Sequence, residues 1–249
     1  MCIAFIYLKC HKKWPLVVVS LRDEFESRVS KPPSHWWRND AFVGGLDVLS
    51  NGTWFALDTF NLSCSMVLNR NEKNPNLPAN NKSRGLLPLS LLENDFSFEQ
   101  NLSFYKPFNL VSMNVHTITW RKYDGIEYET QTVADAGVYV INSAGLNKAL
   151  TNGRQKRWHP IFSNKRLPEI DSGASPRRCW GDILDILSDS ESKGDCKEDL
   201  NIRYLSDFPG YRTVSGTIVA ISNSNGYRLD YSDNPSDVNS WLEIKKSQS

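Results

Sequence analysis

Two runs of β-forming residues begin the chain. Residues 2–8 and 15–20 are rich in Ile, Val, Phe and Tyr, and a polar segment at residues 9–13 separates them. Both runs are nearly continuous in apolar residues instead of alternating, which is typical of strands covered on both faces. We therefore predict a hairpin in the middle of a sheet that lies between two other layers.

The geometry of this hairpin predicts what lies beside the amino terminus. If the hairpin is symmetric about residues 11 and 12, position i faces position 23 − i, and Cys2 lies opposite Leu21. Arg22 and Asp23 then emerge next to the start of the chain.

The remaining elements favour an α+β fold. Strands are predicted at residues 54–58, 63–68, 110–120, 126–133, 137–142, 213–222 and 227–231. Helices are predicted at residues 88–98, 176–187 and 236–242, and loops at residues 27–39, 69–84 and 188–199. Because strands outnumber helices and occur in groups, we expect antiparallel sheets flanked by helices. No break in composition divides residues 1–249, so we expect a single domain.

Composition excludes several classes of function. The 29 basic and 28 acidic residues give a formal charge of +1, which provides no long-range field for nucleic acid. The five cysteines include no CxxC pair and the four histidines have no metal-ligand spacing, so we expect no metal site and no disulfide framework.

The cysteine usage favours a reducing compartment, and we expect a cytoplasmic protein, with mitochondrial or Golgi-associated locations as alternatives. The apolar start is too short for a signal peptide, and no stretch of about eighteen apolar residues predicts a transmembrane segment. The sequence leaves the oligomeric state open.

Cys2 is the residue with the most chemistry. If Met1 is removed, Cys2 carries a free α-amine with a pKa of about 8 as well as a thiol with a pKa of about 8.5. One residue then supplies a nucleophile and a base, as in N-terminal nucleophile catalysis. Arg22 can stabilise a thiolate and Asp23 can orient the amine. Two structural alternatives stay open: Cys2 as a small buried apolar residue, and Arg22 with Asp23 as a strand-end ion pair.

Tryptophans and charged segments give weaker indications of a binding site. Trp54 is expected in the core, whereas the adjacent Trp36 and Trp37 cannot both face inward, so one of them is expected to line an opening. Residues 154–178 carry seven bases and residues 182–199 carry seven acids. We expect these two segments to form solvated faces that pair with each other; a basic rim for phosphate or propionate groups is the alternative.

Several short segments, taken in order, resemble one known family. They are MCIAFIY (residues 1–7), VVVSLRDEFESR (17–28), GGLD (44–47), NGTWFAL (51–57), LNR (68–70) and SRGLL (83–87), with weaker matches at residues 142–150 and 216–231. Together they resemble the transport and Golgi organisation protein 2 family, which is also named after an Asn-Arg-Asp-Glu motif. Leu21 stands where that motif has its asparagine, whereas Arg22, Asp23 and Glu24 match it.

The resemblance implies the fold of the N-terminal nucleophile hydrolases, a four-layer αββα sandwich of two antiparallel sheets. It extends more distantly to choloylglycine hydrolases and penicillin V acylases, in which an N-terminal cysteine attacks an amide carbonyl. By position, Cys2, Asp23 and either Asn69 or Asn142 would take the catalytic roles. The arginine of those enzymes would fall at Ser20, so Arg22 is a substitute from a different place.

The resemblance leaves two main functions open, and we favour the first. As a binding and trafficking protein, the chain would hold an amphipathic cargo, either haem or an acyl-CoA, in a cleft beside Cys2. Its expected cargo contacts are Arg22, Asp23, Glu24, Trp37 and Arg70, with no required cofactor. As an enzyme, it would cleave a linear amide through a thioester on Cys2. A scaffold of the secretory pathway without a small ligand is a third possibility.

Overall fold

A computed structural model of the chain describes residues 2–70, 82–93, 102–147, 153–171, 173–188, 198–224 and 226–245. The strands are β1 (Ile3–Leu8), β2 (Leu16–Phe25), β3 (Ser30–Ser34), β4 (Phe42–Asp47), β5 (Phe55–Asp58), β6 (Ser63–Asn69), β7 (Phe108–Met113), β8 (Ile118–Tyr123), β9 (Tyr128–Val133), β10 (Gly137–Asn142), β11 (Gly145–Leu146), β12 (Tyr211–Ile221), β13 (Tyr227–Ser232) and β14 (Leu242–Glu243). The α-helices are α1 (Leu87–Leu92), α2 (Gly153–Ser163), α3 (Pro176–Trp180) and α4 (Asp182–Ser188), and short 3₁₀ turns occur at Arg84–Leu86 and Leu102–Phe104.

The strands form two antiparallel sheets of seven strands each. The first sheet has the order β11-β10-β1-β2-β12-β13-β14, and the second has the order β3-β4-β5-β6-β7-β8-β9. The hairpin β1–β2 therefore lies in the middle of the first sheet, as its apolar composition predicts.

Alternate residues of the central hairpin face different layers. Odd positions such as Phe5 and Val19 pack against helices α2, α3 and α4, whereas even positions such as Ile6 and Val18 pack against the second sheet. The outer face of the second sheet is covered by α1, through Leu87 and its neighbours. This arrangement of helices, sheet, sheet and helix confirms the predicted α+β sandwich of two antiparallel sheets.

The predicted register of the hairpin is wrong by one residue. Leu8 pairs with Leu16 and Ile3 pairs with Leu21, so the residue numbers of a pair add up to 24. The cause is the seven-residue turn of residues 9–15, in which Lys9 has a φ of 55° and donates its backbone N–H to the carbonyl of Pro15. Continuing the register by one position places Cys2 opposite Arg22, not Leu21.

Three element predictions also differ from the structure. The strand predicted at residues 110–120 is two strands, because Asn114 Oδ1 accepts the backbone N–H groups of His116 and Thr117 in a turn. The helix predicted at residues 176–187 is interrupted at Gly181, which has a φ of 38°. The helix predicted at residues 236–242 is absent, because bends and turns there lead into β14.

Four strands and one α-helix were not predicted; the short strands β11 and β14 are two of these four. Strand β3 lies inside the predicted loop 27–39, and β4 and α2 were not predicted. Of the helix predicted at residues 88–98, the described part ends at Leu92; residues 94–98 lie outside the described residues, as do Cys196 and most of the predicted loops 69–84 and 188–199.

The basic and acidic segments pair, as predicted. Lys165 contacts Asp182 at 2.9 Å, and Arg177 contacts Asp185 at 2.5 Å. These two bases are therefore compensated by acids on α4. Among the described helices, none is long and apolar enough to cross a membrane.

Candidate ligand site

A cavity opens at the end of the central hairpin, where Cys2 begins β1 and Arg22 to Glu24 continue β2. Its volume is about 410 Å³. Loops of the second sheet form the opposite wall. The lining residues are Cys2, Arg22, Asp23, Glu24, Arg28, Asp47, Leu49, Ser50, Thr53, Trp54, Val67, Asn69, Lys82, Ser83, Arg84, Gly85 and Lys106. We call this space the basic cavity.

The thiol of Cys2 reaches the basic cavity and is half-buried. Its Sγ lies 3.7 Å from the backbone carbonyl oxygen of Asp23 and donates to it. Burial raises the pKa of the Cys2 thiol, and the negative charge of Asp23 adds to this effect more strongly than Arg22 opposes it. The sulfur is therefore largely protonated near neutral pH, and its nucleophilicity is low unless a ligand or a base changes its surroundings.

Arg22 faces the basic cavity from the strand position opposite Cys2. Its guanidinium stacks over the ring of Trp54, with 4.4 Å between the guanidinium carbon and the ring centroid. Its Nη2 lies 3.8 Å from Asp47 Oδ2 and 4.0 Å from Glu24 Oε2. Trp54 thus forms part of the cavity wall and stacks with Arg22. It was predicted to lie in the core, but it is only partly buried there and also lines the cavity.

Both carboxylates that face the basic cavity are neutralised by neighbouring arginines. Arg28 Nε donates to Asp47 Oδ2 at 2.6 Å and lies 3.8 Å from Glu24 Oε2. Together with Arg22, Arg28 gives these two acids two cationic partners. The acidic charge of the lining is therefore already compensated within the wall.

The carboxylate of Asp23 is buried on the helix side of the first sheet. Because neighbouring residues of a strand point to opposite faces, the Asp23 side chain enters the helix layer, where Arg154 Nη1 donates to its Oδ2 at 2.5 Å. Thr213 Oγ1 donates to Asp23 Oδ1 at 2.6 Å. Burial alone would raise the pKa of Asp23, but the charge of Arg154 and the hydrogen bonds from Arg154 and Thr213 lower it below the ordinary value. Arg22 and Asp23 therefore do not pair with each other.

Three further bases line the cavity: Lys82, Arg84 and Lys106. Arg84 Nη1 donates to the backbone carbonyl of Pro107 at 2.8 Å. Burial, followed by the positive charge of Arg28, lowers the pKa of Arg84. Among the described residues, the lining has five cationic side chains, with Arg22 and Arg28 included, and two carboxylates that face it. This excess of positive charge favours an anionic ligand.

The backbone around Gly52 and Gly85 holds the basic wall in place. Thr53 donates its N–H to the carbonyl of Gly85 at 2.7 Å. A Cβ atom on Gly52 would lie 2.4 Å from the carbonyl carbon of Gly85, so only glycine permits this close approach. The contact fixes the segment with Lys82 and Arg84 against the second sheet.

Comparison with known proteins identifies the family. A sequence profile described as Transport and Golgi organisation 2 matches residues 1–231. The chain belongs to this family. It is also similar to the human Transport and Golgi organization protein 2 homolog, with 26% identity over 238 aligned residues that cover 83% of this chain and 82% of the human protein.

The Asn-Arg-Asp-Glu motif of the Transport and Golgi organisation 2 family corresponds to residues 21–24 of this chain. All of these residues except Leu21 line the basic cavity. Arg22, Asp23 and Glu24 line the cavity, Asp23 mainly with its backbone. Leu21 instead packs in the core between the first sheet and the helices. The side chain at the position of the motif's asparagine therefore points away from the face that carries Arg22.

The other predicted site residues divide between the cavity and a buried network. Asn69 lines the basic cavity at the end of β6. Asn142 and Arg70 do not line it. Asn142 accepts the N–H of Ala144 at 2.8 Å with Oδ1, and its backbone carbonyl accepts from Asn109 Nδ2 at 2.9 Å. Arg70 Nη1 donates to Asn109 Oδ1 at 2.8 Å. These contacts join the two sheets.

Trp37 also lies outside the lining of the basic cavity. It is half-buried, packs beside the cluster under α1, and donates its Nε1 to the carbonyl of Asn51 at 3.3 Å. Trp36 is exposed and donates its Nε1 to the carbonyl of Pro32. Neither tryptophan lines the cavity that contains Cys2, so the expected cargo contact at Trp37 has no support from its position.

Lys82, Lys106 and Asn109 were not predicted as site residues, and Arg154 was predicted only as one base of the segment 154–178. Arg84 lies in the family-like segment SRGLL and Lys82 lies beside it, so the resemblance could have pointed to both residues. Arg154 is 131 residues from Asp23, and no sequence pattern predicts that these two residues are in contact. Within the described ranges, no group of three or more His, Cys, Asp or Glu side chains could hold a metal ion. None of the four histidines is among the residues that line the basic cavity.

Proposed function

We propose that this Transport and Golgi organisation 2 family member binds an anionic amphipathic cargo in the basic cavity beside Cys2, and that an acyl-CoA is the chemical class that fits best. The observation that carries this proposal is the charge of the lining, with Arg22, Arg28, Lys82, Arg84 and Lys106 around a space of about 410 Å³. Arginine and lysine side chains are the usual partners of phosphate groups.

The acids of the cavity do not cancel this charge. Asp47 and Glu24 are engaged by Arg22 and Arg28, and the Asp23 carboxylate is engaged by Arg154 on the other face of the sheet. Lys82, Arg84 and Lys106 therefore provide the excess charge. Three bases on one wall suit a ligand with several phosphate oxygens better than a ligand with one carboxylate.

Haem is the less favoured cargo. Among the described residues that line the cavity there is no histidine, and Cys2 is the one cysteine. A haem iron that is bound by cysteine requires the thiolate, and burial raises the pKa of Cys2. Titration with haem followed by the Soret band tests this alternative; a saturable shift that Cys2→Ser abolishes would favour haem over acyl-CoA.

Cleavage of a linear amide through Cys2 is the second candidate function, and the exposure of the thiol to the cavity favours it. This mechanism requires removal of Met1, attack of the Cys2 sulfur on the carbonyl carbon, and proton transfer to the leaving amine. The intact mass of the native protein reports whether Met1 is absent. Incubation with N-acyl amides should then leave an acyl adduct on Cys2, and Cys2→Ser should remove it.

Calorimetric titration with CoA and acetyl-CoA tests the preferred function. We expect saturable binding that weakens as salt screens the charges. Arg84→Met should weaken binding by about tenfold or more, since a hydrogen bond to a charged group contributes roughly 1.5–3 kcal/mol. Lys12→Met is the matched control, because Lys12 is exposed in the β1–β2 turn away from the cavity. Absence of binding, or equal binding by both variants, would refute the proposal.

The cellular role that we propose is based on the family and is less specific than the proposed ligand. The family description names transport and Golgi organisation. We propose that binding, not turnover, is how this chain contributes to such a role, with the cargo carried in the basic cavity. A scaffold without a small ligand is the remaining alternative, and it predicts no change in melting temperature with any CoA derivative.

A further inference from the structure

A second concave space adjoins the basic cavity. It has a volume of about 570 Å³, and Glu24, Arg28 and Leu49 line both spaces. The other lining residues are Phe25, Ser27, Val29 and Val48. We call this space the apolar groove. Because three residues are shared, a single elongated ligand can enter both spaces.

The apolar groove is formed by two turns that contact each other. The turn after β2 carries Val29, and the turn after β4 carries Val48 and Leu49. The N–H of Val48 donates to the carbonyl of Val29 at 3.2 Å, and the N–H of Arg28 donates to the carbonyl of Phe25 at 2.9 Å. The groove therefore has a defined backbone and is not a gap between independent loops.

The side chains of the groove are unusually exposed for apolar residues. The exposed fractions are 80% for Leu49, 64% for Val29, 46% for Val48 and 41% for Phe25. Single exposed apolar residues are ordinary, but four of them around one concave surface indicate a binding site. Covering them with an apolar ligand would remove this surface from water.

We propose that the apolar groove binds the hydrocarbon chain of the ligand whose anionic group lies in the basic cavity. This inference rests on the proposed function and adds the residues that select for the chain. Charge decides the orientation of the ligand, because the excess bases Lys82, Arg84 and Lys106 line only the basic cavity. Arg28 and Glu24, which neutralise each other at the junction, present no uncompensated charge to the chain.

A chain-length series tests the groove. Wild-type protein is titrated calorimetrically with CoA and with acetyl-, butyryl-, hexanoyl- and octanoyl-CoA, which stay monomeric at working concentrations. Each methylene that enters the groove should tighten binding by about fourfold. The double variant Val29→Gln/Val48→Gln changes side chains that line only the apolar groove. It should bind CoA as wild type does but lose most of the increase with chain length.

Ile126→Gln is the matched control. Ile126 is 87% exposed, lies in the turn between β8 and β9, and lines neither space. It should keep the wild-type dependence on chain length. Thermal melts of all variants check that the fold is retained, which we expect because the substituted side chains are exposed.

The possible outcomes separate the two proposals. If wild type binds CoA but chain length has no effect, the groove proposal is overturned and the proposed function stands. If the increase with chain length persists in Val29→Gln/Val48→Gln, the hydrocarbon chain binds elsewhere and the groove proposal is also overturned. If neither CoA nor any acyl-CoA binds, the proposed function is refuted and the groove proposal falls with it.

Discussion

The buried ion pair between Asp23 and Arg154 gives the sharpest test of how the helix layer supports the site. The two side chains are almost fully buried, and Arg154 Nη1 lies 2.5 Å from Asp23 Oδ2. Arg154 also donates to the carbonyl of Leu200. The substitution Arg154→Met keeps an unbranched apolar stem and removes the guanidinium.

Arg154→Met should lower the free energy of unfolding by about 3–5 kcal/mol. Removing one partner of a buried ion pair takes away the main compensation of the other charge in a medium of low dielectric constant. For a chain of this size, that loss corresponds to a decrease in melting temperature of roughly 10 °C. Urea titration followed by tryptophan fluorescence measures the free energy, and a thermal melt provides an independent check.

A double-mutant cycle separates the ion pair from the packing around it. Asp23→Leu alone should also destabilise the protein, because it leaves the Arg154 guanidinium buried. The double variant Asp23→Leu/Arg154→Met contains no buried charge at this place, so it should be more stable than the sum of the single effects predicts. Additive single effects would refute the conclusion that the two groups form one unit.

The pH dependence gives a second readout of the same pair. The pKa of Asp23 in the folded protein is lowered, so its stabilising contribution is present above the unfolded pKa of about 3.9 and is lost as pH falls through the folded pKa. In Arg154→Met the same carboxyl is buried without the guanidinium, and its pKa should rise. The difference in stability between wild type and variant should therefore shrink on acidification from pH 7 to pH 4; a constant difference would contradict this account.

Three further predictions concern the basic cavity and the network beside it. Alkylation of Cys2 by iodoacetamide, mapped by peptide mass spectrometry, should have its pH midpoint above that of a free cysteine peptide, because the pKa of Cys2 is raised; a lower midpoint would contradict the protonated state. Gly52→Ala should lower both stability, by about 1–3 kcal/mol, and CoA affinity, because its Cβ would press on Gly85, whereas Gly137→Ala should be tolerated with no atom closer than 3.7 Å. Asn109→Leu should lower the free energy of unfolding in urea by about 1–3 kcal/mol, because it removes the oxygen that accepts from Arg70 and Trp120; an unchanged value would show that this network contributes little.

The sequence predicted the fold well where one physical signal dominated. The continuous apolar runs of β1 and β2 require cover on both faces, and the structure covers them with helices on one side and a sheet on the other. Strand β4 was missed because Gly44 and Gly45 weaken its pattern, although Gly44 closely approaches the backbone of Phe55. Helix α2 was not predicted because most of its residues are polar or basic, among them Arg154, so its sequence shows no clear apolar face. Its Phe162 nevertheless stacks on Phe5 in the core.

The candidate site was predictable only in its local part. Cys2 lies at the start of β1, and Arg22 and Glu24 lie on the neighbouring strand β2. Their proximity can therefore be predicted from the pairing of these two strands. Lys106 and Arg154 enter through contacts between distant parts of the chain, which no local pattern predicts. The predicted register of the β1–β2 hairpin was wrong by one residue. Such an error matters because a shift of one position exchanges the two faces of a strand.

The corrected register also makes a prediction for Leu21, the position at which the family motif has asparagine. Leu21 is buried with Ile3 and Ile218 in the core beneath the helices, on the opposite face from Arg22. Leu21→Asn would therefore place an amide in an apolar core and should destabilise the protein by about 2–4 kcal/mol, more than Leu21→Ala does, because the amide adds unsatisfied polar groups to the lost packing. It should leave the affinity for CoA unchanged in the folded fraction. Urea titration of both variants, with CoA binding measured by calorimetry, distinguishes the possibilities. If Leu21→Asn is as stable as wild type or binds CoA more tightly, the side chain at this position reaches the basic cavity and the assignment of faces along β2 is incorrect.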